Sequence, residues 1–226
     1  MVTAPQDNVV EVASLSGCSG GNAIAFQKTT VAGQPWAVAM VNGAELDAYV
    51  LSRDKASSNG LPELSKFKVN SDGTLTPEGT VELAGVTPVS TVRAANPYAG
   101  VYQLQAFTNT NTAAVLFMSA ANDSIVLTID TTSNAMKVTS TTPVPELPFE
   151  IAAQETASGS ALWVGYILAS GGEAVTHLGK VNPTTGDYTS DVSACQAGIL
   201  GNLLATPSGV YCAQGSVIEP PLNLQP

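Results

Sequence analysis

Leu64-Ser65-Lys66-Phe67-Lys68-Val69-Asn70-Ser71-Asp72-Gly73-Thr74-Leu75 is the stretch whose reading decides the fold. A short β-type run ends in Val-Asn, a turn of Asn, Ser, Asp and Gly follows, and a second run begins at Leu75. Glycine or asparagine in such a turn supplies the positive φ that a tight hairpin requires. Two further stretches share the design. One is Ile125-Val126-Leu127-Thr128-Ile129-Asp130-Thr131-Thr132-Ser133-Asn134-Ala135-Met136, and the other is His177-Leu178-Gly179-Lys180-Val181-Asn182-Pro183-Thr184-Thr185-Gly186-Asp187-Tyr188. Aligned on Val69, Ile129 and Val181, the copies sit 60 and 52 residues apart. Self-similarity at a period of about 40–50 residues or slightly more marks propellers and solenoids.

Around each hairpin the chain reads as four strands. The first unit, 36–84, gives strands at 36–41, 47–52, 64–69 and 75–83. The second, 101–142, gives 101–107, 113–118, 125–129 and 136–141. The third, 149–193, gives 149–154, 161–168, 175–181 and 188–192. The second strand of a unit is almost continuously apolar, as in Ala113-Ala114-Val115-Leu116-Phe117-Met118 and Leu162-Trp163-Val164-Gly165-Tyr166-Ile167-Leu168. That pattern belongs to strands buried on both faces. Helical periodicity is nearly absent, with one mildly helical stretch at 194–204 that contains Gly198 and Gly201. The expectation is an all-β propeller of four-stranded antiparallel blades. The ends offer strands at 8–15 and 22–28, and at 202–206 and 209–213. Two plus two completes a fourth blade shared by the termini (202–214 plus 8–28), closing a ring and hiding its edges. A Pro-rich tail, 215–226, follows. An open arc, a fragment of a larger propeller and a β-sandwich are the competing architectures.

Composition narrows the function classes. Only 12% of the 226 residues are charged, against about 25% in ordinary soluble domains, while 44% are hydrophobic. Such a polar, charge-poor surface suits an extracellular or cell-surface protein. Net charge is −10 with eight basic residues in all. Without a Lys/Arg cluster to follow phosphates, nucleic acid is not an expected partner. No apolar run reaches the roughly 18–20 residues that a membrane helix needs, so membrane insertion is not expected either. The first residues lack the basic and apolar regions of a signal peptide, so an extracellular reading has the signal removed. The expected partner is a protein or carbohydrate ligand, with self-assembly as a further option and no cofactor.

Three cysteines, Cys18, Cys195 and Cys212, have no Cys-x-x-Cys spacing, and a single histidine is too few for the usual zinc sets. Cys18–Cys212 would lock the shared blade, Cys195–Cys212 closes a shorter loop, and three buried thiols are the third reading. Asn122-Asp123-Ser124 is a glycosylation sequon in an expected turn.

Few residues carry candidate chemistry. Arg53 and Asp54 form an adjacent charged pair after a second strand, and Arg93 is the only other arginine. Each reads as a solvated loop charge or as a ligand contact. Trp36 reads as core or as an aromatic contact surface. His177 is placed in a third strand, away from a central opening, with a structural or surface role. Glu146, Glu150 and Glu155 flank Pro145 and Pro148 and read as an inter-blade connection. Ser16-Gly17-Cys18-Ser19-Gly20-Gly21 reads as a tight turn.

The hairpin from Leu64 through Thr74-Leu75-Thr76-Pro77 resembles the blade hairpin of lactonase-type propellers, which include 6-phosphogluconolactonase-like proteins and fungal carboxymuconate cyclases. The resemblance implies the scaffold. Those relatives usually have seven blades and use His, Arg and acidic side chains at a central opening. This chain has one His and two Arg, and none of that family's catalytic residues maps onto a position here. A non-catalytic binding module is the leading expectation. A lactonase- or cyclase-type enzyme acting on a small lactone or carboxylate is the alternative, and a structural subunit of an extracellular assembly is a third.

Overall fold

The computed structural model describes residues 2–4, 8–13, 26–53, 61–83, 102–117, 124–144, 147–170, 173–194, 200–214 and 222–224. Among these there is no helix, so none is long and apolar enough to cross a membrane. The strands form five antiparallel sheets. The first joins β1 (Val2–Ala4), β2 (Val9–Ala13) and β3 (Phe26–Thr30). The second is β4 (Gln34–Asn42), β5 (Leu46–Arg53), β6 (Glu63–Val69) and β7 (Leu75–Glu82). The third is β8 (Tyr102–Phe107), β9 (Thr112–Phe117), β10 (Ser124–Asp130) and β11 (Lys137–Val144). The fourth is β12 (Leu147–Thr156), β13 (Gly159–Ser170), β14 (Glu173–Val181) and β15 (Tyr188–Ala194). The fifth is β16 (Leu200–Thr206), β17 (Gly209–Gln214) and β18 (Leu222–Leu224). Within each sheet, strands follow chain order, each paired with the next.

The three four-stranded sheets are the three units read from the sequence. The terminal strands behave differently. Among the described residues β2 pairs with β1 and β3, and β17 pairs with β16 and β18, in two separate three-stranded sheets rather than one sheet of two plus two. Both added strands have only three residues, too few to show alternation. At the mildly helical stretch, β15 runs to Ala194 and β16 starts at Leu200, with 195–199 outside the described residues. Side-chain periodicity is a poor guide where Gly198 and Gly201 interrupt it.

The chain divides into two compact units, Met1–Pro97 with Thr131–Lys137, and Tyr98–Asp130 with Val138–Pro226. In the first, β2, β5 and β6 pack Val10, Val12, Ala48, Val50 and Phe67 with Val31 and Leu75. In the second, the third and fourth sheets share Phe107, Ala114, Leu116, Val126, Val144, Ile151, Leu162, Val164 and Val181, and the fourth and fifth share Ala152, Leu178, Leu203 and Val210. The second strands bury both faces, as their composition requires: β9 is buried at all six positions.

Two side-chain devices recur with the repeat. The first joins the opening strands of successive sheets. Gln103 on β8 accepts the Ile151 N–H of β12 at 2.7 Å, and Gln105 donates to the Ile151 carbonyl at 3.2 Å. One sheet on, Glu150 of β12 accepts the Leu203 N–H of β16 at 2.6 Å, and Gln154 donates to the Thr206 carbonyl at 2.9 Å. The second device sets the hairpin turn of one sheet against the last strand of the sheet before it. Gly73, at φ 84°, lies against Gln27 of β3. The turn around Asn134 lies against Gly79 of β7, and Gly186, at φ 78°, lies against Ser140 and Thr142 of β11. Thr142 also donates to the Gly186 carbonyl at 2.7 Å. Gly73 and Gly186 are the left-handed turn residues the sequence calls for. Asn134 is not one: the non-glycine residues at positive φ are Asn8 and Asn111 among the described residues.

Candidate functional site

Charge is scarce in this chain, so half-buried charges on a strand face mark the place to look. Asp47 and Tyr49 lie two apart on β5 and so share a face. Lys66 stands directly opposite Tyr49 on β6 and opposite Gly79 on β7. The register then passes to Phe67–Pro77, leaving Glu78 as an extra residue. In such a bulge two residues of one strand oppose one of the other, so Glu78 and Gly79 both meet Lys66. Without the bulge, strict alternation would send the Glu78 carboxylate to the opposite face.

The result is an ion triad. Lys66 Nζ lies 3.0 Å from Glu78 Oε2 and 3.2 Å from Asp47 Oδ2, with the lysine side chain 12% exposed and the carboxylates 19% and 20%. Beside it, the Tyr49 phenol is buried and hydrogen-bonded to the Thr131 side chain. Thr131 opens the 131–136 turn and is itself buried. The turn belongs with the first compact unit, and its Asn134 backbone meets Gly79 so closely that a methyl group there would overlap it. Leu51 and Leu64, both fully buried, continue the same face as an apolar stripe.

Electrostatics fix the chemistry available. Burial alone would lower the Lys66 pKa, but its bonds to Glu78 and Asp47 outweigh burial and hold it above the ordinary lysine value. Burial raises the Tyr49 phenol, with the Thr131 bond pulling the other way. At neutral pH the amine is therefore a cation with no lone pair and the phenol keeps its proton. Neither acts as a nucleophile or base in that state. The arrangement holds a turn in place.

The residues singled out from the sequence fare unevenly. Arg53 ends β5, and its side chain lies outside the described residues, as do Asp54, Arg93, Asn122, Glu146, Cys18 and Cys195. Cys212 sits on β17 opposite Leu203 and Leu222, with its side chain likewise outside, so neither cysteine pairing is tested. Trp36 is partly buried at the irregularity where the β4–β5 register shifts between Pro35 and Ala37. His177 is in the third strand of its sheet, as expected, stacked on Tyr166 with ring centroids 5.7 Å apart. Glu150 and Glu155 are structural acceptors, Glu155 receiving the Asn109 N–H at 2.6 Å. Trp163 is only partly buried, donating to Gln154 at 2.9 Å beneath the Lys180 ammonium. Among the described residues no group of three or more His, Cys, Asp or Glu could hold a metal ion.

Sequence reasoning missed Asp47, Lys66 and Glu78. The available signal was a lysine set between Leu64 and Phe67 in a β-type run, to which the sequence reading assigned no role. No family model matches the chain, and no curated protein matches it.

Proposed function

We propose that this chain is a propeller-type scaffold, secreted or surface-displayed, that presents its loops to a protein or carbohydrate ligand and does not turn over a substrate. One observation carries the reading: most of the described ionisable side chains are engaged in holding the scaffold together. Lys66 joins two carboxylates, Glu150 and Glu155 cap backbone N–H groups, Asp72 closes its own hairpin through Thr74, and Lys28 and Lys68 pair with Glu11 and Glu45. Sites of turnover gather ionisable groups whose bonding is left open for a substrate. Binding modules place recognition on loops over a rigid frame.

Blade-type stacking is supported by the two recurring devices. The Gln103/Gln105 bonds and the Glu150/Gln154 bonds both tie an opening strand to the next opening strand, and three hairpin turns each meet a preceding outer strand. The likeness of the 64–77 hairpin to lactonase-type propellers fits the same stacking and concerns the scaffold.

The test is a glycan and extracellular-protein binding screen run beside a lactone panel on the same preparation. Saturable binding in the micromolar range or tighter, with lactones unchanged, is the expected result. Steady turnover of any lactone, lost on replacing Arg53 or Arg93 in a folded chain, overturns the reading in favour of an enzyme.

A further inference from the structure

We propose that the Asp47–Lys66–Glu78 triad is an electrostatic latch, which makes docking of the 131–136 turn a separate, charge-controlled event that occurs while the sheets stay folded. Three observations combine. The turn is remote in sequence from β5, β6 and β7 yet clusters with their unit. Its two attachments, Thr131 on Tyr49 and Asn134 on Gly79, flank the triad directly, since Tyr49 and Gly79 are the cross-strand neighbours of Lys66 on either side. Beneath the turn the strand face is ionic at this end and apolar only at Leu51 and Leu64.

An ionic seat differs from an apolar one in how it fails. Removing one partner of a half-buried ion pair leaves the other charge uncompensated, whereas removing every charge is often neutral or stabilising. With all three ionised the triad carries one net negative charge, so Lys66 is the group that lets two carboxylates share this face. Without its cation the two carboxylates repel, and water entering to solvate them competes with the turn. The charged and titratable groups facing Lys66 are Asp47 and Tyr49 from β5 and Glu78 from β7. The Glu45–Lys68 pair lies alongside, and Thr131 and Asn134 from the turn carry no charge.

Amide hydrogen exchange, corrected for intrinsic rates, reads the turn and the strands separately. In Lys66→Met, which leaves two carboxylates facing each other, protection across 131–136 is expected to fall about tenfold, the turn still opening before β5 and β6; Glu78→Gln, which leaves a neutral Lys66–Asp47 pair, is expected to lose less. In the triple variant Asp47→Asn, Lys66→Met, Glu78→Gln the turn is expected to regain most of its protection. A role in packing alone predicts the reverse order, with the triple variant worst. That result overturns the latch, as does turn exchange that follows the strands in every variant. Should Lys66→Met fail to fold, Lys66→Gln against the triple variant still decides.

Discussion

Lys66 in the second sheet and Val126 in the third occupy the same place in their repeats, three residues before the Val69 and Ile129 on which the copies align. Their surroundings differ completely. Val126 stands opposite Leu116, with Ala114 two residues along the same face, and all three are fully buried in an apolar cluster. Lys66 stands opposite Tyr49, with Asp47 two residues along and Glu78 brought in by a bulge. One register, then, supports two ways of covering a strand face. The apolar way gains from area removed from water and is indifferent to charge. The ionic way gains little net free energy, because desolvating three charges nearly cancels their attraction, but it penalises any arrangement that parts them. The apolar face supplies stability, and the ionic face supplies a particular fit.

The sharpest way to break the comparison is on the apolar side. Leu116→Ala should cost about 2–5 kcal/mol, the range for a fully buried leucine whose surroundings do not collapse, measured as a lowered midpoint in denaturant with unchanged slope. Gly79→Ala tests how closely the turn is seated. A methyl group there meets the Asn134 backbone, which cannot swing aside as a side-chain tip would. About 1–3 kcal/mol is expected for such overpacking.

Lys66→Met should cost about 1–2 kcal/mol at neutral pH, below the 3–5 kcal/mol of fully buried pairs, because water reaches both carboxylates. Its pH dependence carries a definite sign. Lys66 has a raised pKa when folded, so its contribution is complete below the ordinary lysine value, about 10.4, and is lost as pH rises through the folded value. Tyr49, also raised, adds to the same alkaline loss, because the unfolded phenol ionises first. A melt series from pH 8 to 12 should show a steeper decline in the unaltered chain than in Lys66→Met.

The smallest effect belongs to Glu150. Burial raises its pKa, with the Leu203 N–H pulling it down, so the folded state favours the protonated form. Stability from this group therefore falls as pH rises through the folded value. Glu150→Gln keeps an acceptor for Leu203 and removes the buried charge. The expected change at neutral pH is between none and a gain of about 1 kcal/mol, and a loss larger than that would mean the charge itself holds β16.

The fold was far more legible than the site. Asn70-Ser71-Asp72-Gly73 and Asn182-Pro183-Thr184-Thr185-Gly186 announce their hairpins because only glycine takes the required φ without cost. The continuous apolar runs of β9 and β13 announce burial on both faces. The triad was hidden because its geometry depends on one inserted residue. Period-2 reading sends Glu78 to the face away from Lys66, and nothing in Pro77-Glu78-Gly79 marks the bulge except the glycine. Gln103, Gln105 and Gln154 were hidden for another reason. A polar residue on a strand reads as solvent-facing, and only the neighbouring sheet reveals that its partner is backbone.

A final consequence concerns the turns between first and second strands. Thr156-Ala157-Ser158-Gly159 and Thr206-Pro207-Ser208-Gly209 are built alike: the threonine hydroxyl meets the serine hydroxyl at 2.9 and 3.0 Å and donates to the glycine carbonyl at 2.9 and 3.2 Å. Each corner thus closes on its own atoms, just as each later hairpin brings the cover for the strand before it. The hydroxyl bonding of these four-residue corners therefore depends on no other part of the chain, while the ties between opening strands couple each segment to its neighbour, so a change at a corner stays local and a change at a tie is felt in two sheets.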